Sequence, residues 1–212
     1  MEQEQRQAQN YENYPPDLQK AIDFHGHFCP GLVIGYRAAK AAIEKLSVKR
    51  AKDEELVAIV EADACGIDAI QSLLGCTMGK GNLIYKDYGK QAYTIISRKQ
   101  KRGVRLALNP SVFSPSPAQE KLREAVFSGR ASAAEREEYQ ALQAARIEQL
   151  LAMDTSELFK VEEKEAPPPP PAKIFRSVKC DFCGEMVMEP RARLKDGKIA
   201  CLACYEEYTR GW

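Results

Sequence analysis

Two groupings of thiol and imidazole side chains carry the chemistry that this chain offers. The first is Phe24-His25-Gly26-His27-Phe28-Cys29-Pro30-Gly31, which holds both of the chain's histidines and one of its seven cysteines. Imidazole and thiolate are ligands for borderline and soft divalent metals, and the same groups serve as general base and nucleophile. The second is Cys180-Asp181-Phe182-Cys183 followed, after seventeen residues, by Cys201-Leu202-Ala203-Cys204. A C-x-x-C turn aims two thiolates at one point, and two such turns complete a tetrahedron that fits zinc. The spacing suits a treble-clef finger and also a zinc ribbon.

The elements around the first grouping give it its reactivity. Pro30 suits the first position of a helix over 30–46, in which Leu32, Tyr36, Ala39, Ile43 and Leu46 recur at three- and four-residue intervals. Cys29 then sits at the helix start, where free N–H groups and the dipole stabilise a thiolate. Gly31, Gly35, Ala38 and Ala42 give that helix a small-residue face that a neighbour can approach closely. The apolar run 56–60 reads as a buried strand, and Asp63 is expected to cap a helix running to Leu74. Cys65 falls in the first turn of that helix and gains the same stabilisation. His25 and His27 project the same way if the chain between them is extended. Together they are candidates for catalysis and for a divalent metal, Zn, Ni or Fe, with zinc the leading choice. The plain alternative for either cysteine is a buried structural thiol.

A third element, Leu74-Gly75-Cys76-Thr77-Met78-Gly79-Lys80-Gly81-Asn82, joins glycines, a lysine and a thiol in one loop. It lacks the glycine spacing and the Ser or Thr of a Walker A loop. Cys76, Thr77, Gly79, Lys80 and Asn82 are candidates for cradling an anionic cofactor, and a structural turn is the alternative reading.

Further along, strands are expected over 91–98 and 104–109, joined by a turn at Gly103. Ser116-Pro117-Ala118-Gln119 and Ser132-Ala133-Ala134-Glu135 have the form of capping boxes and predict helices over 117–128 and 133–153. A short strand is expected over 157–162, giving an α+β core domain over 14–164. Residues 1–13 read as a mobile polar lead-in, and the EAPPPPPA run at 165–172 reads as a semi-rigid spacer. It separates the core from a finger module at 173–212. There, 191–200 is expected to form a hairpin around Asp196-Gly197, and 201–208 a short helix.

Composition narrows the class without naming a function. The 212 residues include 44% hydrophobic side chains, enough for a real core. No apolar run reaches the roughly 20 residues of a membrane span, and the polar start lacks a secretory pattern, so a cytoplasmic location is expected. Lys and Arg number 31 against 30 Asp and Glu, and the finger carries eight basic against six acidic residues. Neither balance provides a phosphate-binding stripe, so nucleic acid is not favoured as partner.

The order FHGHFCPGLVIGYRAA, then EADACGIDAIQSLLGCTMGKGNLIYKDYGK, then a four-cysteine tail resembles the FmdE-like family, named for formylmethanofuran dehydrogenase. The resemblance covers residues 17 to 110. It implies an α+β domain with a mixed, antiparallel-rich sheet packed with helices, a C-terminal zinc finger and a homodimer. It aligns His25, His27 and Cys29 with the H-G-H-x-C-P-G signature, Cys65 and Asp68 with the C-x-x-D-A pair, and Cys76, Thr77, Gly79 and Asn82 with the G-C-T-x-G-x-x-N loop, as the lining of one metal cleft. The implied role is accessory to molybdenum- or tungsten-dependent C1 or redox metabolism, with the subunits of such enzymes as partners. Two alternatives stand beside it: a free-standing metal- or thiol-dependent enzyme using the cleft, and a zinc-finger transcription regulator.

Overall fold

The computed structural model describes residues 11–112 and 114–207, and the chain divides into two compact units, Met1–Pro171 and Ala172–Trp212. The larger begins with a helix that the sequence reading lacks, α1 (Pro16–His25). Proline at its start gives up no hydrogen bond there, and Leu18, Ala21 and Ile22 bury one face. Gly26 ends it in the left-handed conformation, with φ 86°, and donates its N–H to the Ile22 carbonyl. α2 follows over Pro30–Leu46 as the apolar spacing predicts.

β1 (Leu56–Val60), α3 (Gly66–Leu74) and β2 (Leu83–Tyr85) form a crossover that sets β2 parallel to β1. β3 (Ala92–Ser97), β4 (Arg102–Leu108) and β5 (Phe159–Glu165) then add antiparallel pairings. The resulting sheet has the order β2-β1-β3-β4-β5. The fold is therefore α+β with a mixed, antiparallel-rich sheet. Between β4 and β5 run α4 (Pro117–Phe127) and α5 (Ala133–Ala152), both opened by the expected capping boxes, and the short α6 (Thr155–Leu158). The strand expected over 157–162 thus starts two residues later, because α6 takes Glu157 and Leu158.

The main core packs Leu18, Leu32, Ile34, Ile70, Leu74, Ile95, Leu106 and Phe159, all at most 1% exposed, into one cluster between helices and sheet. The small-residue face of α2 meets α3 of the same chain. A Cβ on Gly35 would lie 2.1 Å from the Gly66 carbonyl oxygen, so the two backbones touch where each has a glycine. That closeness brings the starts of α2 and α3 side by side, and it leaves Gly31 and Gly35 unable to serve a second copy of the chain.

Two boundaries differ from expectation. Residues 1–10 of the expected mobile lead-in lie outside the described residues, but Tyr11 is pinned through its hydroxyl to Asp23 at 2.8 Å. At the other end Glu165 completes β5, Ala166 packs with Val57 and Ile96, and Arg98 donates to the carbonyls of Pro169 and Pro170. The first part of the proline run is thus tied to the core.

The smaller unit has two hairpins, β6 (Ser177–Lys179) with β7 (Met186–Met188), and β8 (Arg193–Lys195) with β9 (Lys198–Ala200). Asp196 and Gly197 turn the second with φ of 50° and 73°, the left-handed pair that a tight hairpin demands. Residues 202–204 form a turn, and no helix follows among the described residues, against the helix expected over 201–208; Tyr208 lies outside them.

Candidate metal centre

Three helices deliver the cleft. His25 is the last residue of α1, and the left-handed Gly26 folds the chain back so that the His27 ring packs on it, centroids 4.2 Å apart and planes tilted 39°. Their convergence comes from this turn, not from the extended chain on which they would also project the same way. Cys29 is the N-cap of α2, its sulfur accepting from the Leu32 N–H at 3.4 Å. Cys65 caps α3 in helical conformation without a side-chain bond, so Asp63, expected to be the cap, does not play that part. One donor atom each of His25, His27, Cys29 and Cys65 lies within 4.8 Å of the other three.

One edge of the donor set has close to the length that a tetrahedral ion demands. With Zn–N of about 2.05 Å and Zn–S of about 2.3 Å, an N···S edge measures about 3.6 Å and an S···S edge about 3.8 Å. His25 Nε2 stands 3.8 Å from Cys29 Sγ. A carboxylate backs the imidazole: Asp68 Oδ2 lies 2.7 Å from His25 Nδ1, and Asp68 Oδ1 accepts from Gln71 Nε2 at 3.1 Å. An acceptor at Nδ1 places the proton there and leaves the Nε2 lone pair facing the thiols, as in carboxylate–histidine–metal sites. Gln71 was missed from sequence, although it follows Asp68, as Asp68 follows Cys65, by the three-residue step of a helix face.

Without a cation the cleft resists double ionisation. Burial pushes the Cys29 thiol up to about 11, outweighing the Leu32 N–H, and the Cys65 thiol beside it adds to the rise. The helix-start effect expected for Cys29 loses to desolvation, and two thiolates here require a positive ion between them. Beneath them Tyr93 is buried, its hydroxyl against Gly66 and donating to Gln91 at 2.9 Å.

The glycine-rich loop does not join this cluster. Cys76 lies at the opposite end of α3 from Cys65, fully buried, with its thiol pushed up to about 12 by that burial. Asn82 spends its amide on the Asp53 and Leu56 carbonyls and accepts from the Thr77 N–H. Lys80 gives its ammonium to the Lys52 and Asp53 carbonyls, and its N–H bonds the Thr77 hydroxyl. Gly79 faces open space. Of the residues expected to cradle a cofactor, Cys76, Thr77, Gly79, Lys80 and Asn82, the lysine and asparagine side chains are thus engaged with the backbone of residues 52–56.

The second four-donor cluster is Cys180, Cys183, Cys201 and Cys204, with donor atoms likewise within 4.8 Å of one another. Cys183 and Cys201 sulfurs stand 3.9 Å apart, close to a tetrahedral S···S edge. The N–H groups of Cys183 and Cys201 hold the Cys180 thiol down at about 6, while the Cys201 and Cys183 thiols drive Cys204 up to about 12. Asp181 and Ile199 exchange two hydrogen bonds of 2.7 and 2.8 Å, which tie the first knuckle to the second hairpin.

Fold and sites together define a class: a mixed α+β domain with a histidine–cysteine cleft, joined to a four-cysteine finger. A family model described as "FmdE, Molybdenum formylmethanofuran dehydrogenase operon" matches residues 24–160, and the chain belongs to that FmdE family. The model "Prokaryotic dksA/traR C4-type zinc finger" matches residues 173–210, so the tail is a zinc finger of that kind. An Archaeoglobus fulgidus protein named "Probable S-adenosyl-L-methionine-binding protein" is 35% identical over 198 residues, 90% of this chain. The chain spans about half of that relative, 53% of its length. A solved structure from Syntrophus aciditrophicus, of a tungsten formylmethanofuran dehydrogenase FmdE-like protein, shares the fold. It aligns at TM-score 0.60 and 23% identity over 92% of this chain and 91% of its own.

Proposed function

We propose that this FmdE-family chain is a metalloprotein accessory to molybdenum- or tungsten-dependent C1 or redox metabolism. In this reading its cleft holds a divalent metal through His25, His27, Cys29 and Cys65, and its finger holds zinc through four thiolates. The carrying observation is the convergence of two imidazoles and two thiols, from the end of α1, the bend after it and the starts of α2 and α3, with donor atoms within 4.8 Å of one another. The names of the matched family and of the fold neighbour support the metabolic setting. When bound, the metal would supply a Lewis-acid centre; the chain's own part is to fix Nε2 of His25 through Asp68 and to set both thiols at helix starts. Function as a homodimer in the cytoplasm belongs to the same proposal. With the small-residue face of α2 spent on α3, the dimer rests on the family resemblance.

Elemental analysis of the full chain tests this reading. Two metals per chain are expected, falling to one in the Cys29→Ala, Cys65→Ala double variant and to one in Cys201→Ser. One metal per chain, unchanged in the double variant, would refute the cleft assignment. The archaeal relative's name favours a second reading, in which the cleft region takes S-adenosyl-L-methionine. Calorimetric titration with that compound separates the two, since cleft binding of it should survive removal of metal.

A further inference from the structure

The helices pack on one face of the sheet, through Ala58, Val60, Tyr93, Ile95, Val104 and Leu106. Side chains alternate along a strand, so Ala92, Arg105 and Ala107 belong to the other face, where Ala92 stands opposite Ala107 and Arg105 opposite Thr94. The two alanines leave a depression there of about 390 Å³, lined also by Leu108 and Pro110, with Arg105 and Lys90 as its cations. Small-molecule pockets begin at about 300 Å³. Its charges are unevenly spent. Arg105 gives Nε and Nη2 to the Glu61 carboxylate at 2.9 and 3.0 Å, which fixes the guanidinium plane and cancels the carboxylate. On β5, opposite Ala107 and Arg105, Lys160 pairs with Glu162 at 2.8 Å. Lys90 makes no ion pair among the described residues and is the surplus cation of the depression.

We infer that this depression binds a small flat aromatic or heteroaromatic ring bearing one anionic group. The ring lies on Ala92 and Ala107 beside the guanidinium of Arg105, and the anion meets Lys90. Two facing methyl groups make a floor that is flat and has no polar atom to leave unsatisfied. A guanidinium held in one plane stacks on a ring and gains nothing comparable from a branched aliphatic chain. A single anion matches the one surplus cation, whereas a polyanion would also meet the carboxylates of Glu61 and Glu162. The Glu61 N–H donates to the Ala92 carbonyl at 3.1 Å, and Cys65 follows four residues after Glu61, so depression and cleft lie at the same end of the sheet. None of the four cleft donors lines the depression, and the inference stands apart from the metal reading.

Titration of the full nitrogen-15-labelled chain with 2-naphthoate, followed through its amide resonances, tests this. Shifts should concentrate on residues 90–92 and 105–109, and the neutral 2-naphthalenemethanol should bind there about fivefold more weakly, the worth of one exposed ion pair. Lys90→Gln should bring naphthoate down to the affinity of the alcohol. Ala107→Phe, which fills the depression from a half-buried position, should abolish the shifts from both compounds. Lys90 is exposed and Lys90→Gln disturbs no packed residue, so that variant decides the matter even where Ala107→Phe fails to fold. Equal binding of acid and alcohol to the wild-type chain, or undiminished naphthoate binding in Lys90→Gln, would overturn the inference. So would the lack of any shift at millimolar probe, or shifts confined to the exposed Met186 and Leu194 of the finger.

Discussion

The cleft and the finger present four donors each, within the same 4.8 Å, on opposite kinds of support. The cleft's donors stand on α1, α2 and α3, whose Leu18, Leu32 and Ile70 are fully buried in a large core. In the finger, Cys180 and Ala200 are the buried apolar residues among those described, while Ile174, Met186 and Leu194 are between 65% and 102% exposed. The same donor geometry therefore serves two ends. One set of donors is placed by a buried core; the other stands on hairpins with little buried surface, where a metal is expected to supply the fold. Desolvation differs accordingly, pushing Cys29 up in its half-buried cleft while backbone N–H groups pull Cys180 down.

The largest expected effect breaks the two apart. Structural zinc contributes about 10–16 kcal/mol of apparent binding free energy in finger-sized peptides, more than a module with so little buried surface can replace. Cys201→Ser should collapse the amide dispersion of the two finger hairpins while leaving the core's melting temperature within a degree or two. A finger that keeps its dispersed spectrum after zinc removal would mean that its short strands stand alone, and the contrast would fail.

Next comes Gly35→Ala. Its methyl would lie 2.1 Å from the Gly66 carbonyl oxygen, a backbone atom with no room to yield. Overpacking of this sort costs about 1–3 kcal/mol, and here it pushes α3 away from α2. The core should melt lower and the cleft should lose metal, because the spacing of Cys29 and Cys65 depends on that approach. Finger zinc, measured on the same sample, should stay at one per chain.

These glycines show what was legible in the sequence and what was not. Local signals were readable: Pro30 and the apolar spacing of α2, the capping boxes at Ser116 and Ser132, the Asp196-Gly197 turn and the paired C-x-x-C motifs depend on neighbours along the chain. The His25, His27, Cys29 and Cys65 set was readable as a group because three of the four lie within five residues. What escaped depended on contacts across the chain. Small residues on α2 looked fit for any neighbour until Gly66 was seen to occupy them. The Gly-rich loop advertised anion binding, yet carbonyls from residues 52–56 consume its lysine and asparagine. α1 was missed although Pro16 at its start, the Leu18, Ala21, Ile22 spacing and Gly26 at its end are helix signals. The thiolate at Cys29 was overvalued because a helix start is visible in sequence and desolvation is not.

Acid should separate the units by a different route. Glu61, 7% exposed, receives both guanidinium bonds of Arg105 at 2.9 and 3.0 Å, and this pairing holds its carboxyl below the ordinary 4.5. A carboxylate with a depressed folded value adds stability that is present above 4.5 and is lost as pH falls through that lower value. Glu61→Gln should therefore cost the core about 1–2 kcal/mol at neutral pH, and wild type and variant should converge in acid. Urea titrations at several pH values read this directly. A deficit that persists unchanged at low pH would assign the loss to packing and remove the charge from the account.

The smallest effect tests whether the core is uniformly held. Both α4 and α5 open with a capping box, but α4 buries no residue whereas α5 buries Ile147 and Leu150. α5 is also clamped at its far end, where Arg37 donates to the carbonyls of Leu150 and Leu151 at 2.6 Å. Losing a serine cap costs about 1 kcal/mol of helix stability, but that cost reaches global unfolding only if the helix is coupled to the core. Ser132→Ala should accordingly lower global stability by about 1 kcal/mol. Ser116→Ala should instead speed hydrogen exchange within 117–127 and leave the urea midpoint nearly in place. Metal content should match wild type in both, since neither cap touches a donor. If Ser116→Ala lowers global stability as much as Ser132→Ala, α4 is coupled to the core through contacts beyond its exposed surface, and the division into firmly and loosely held parts must be redrawn.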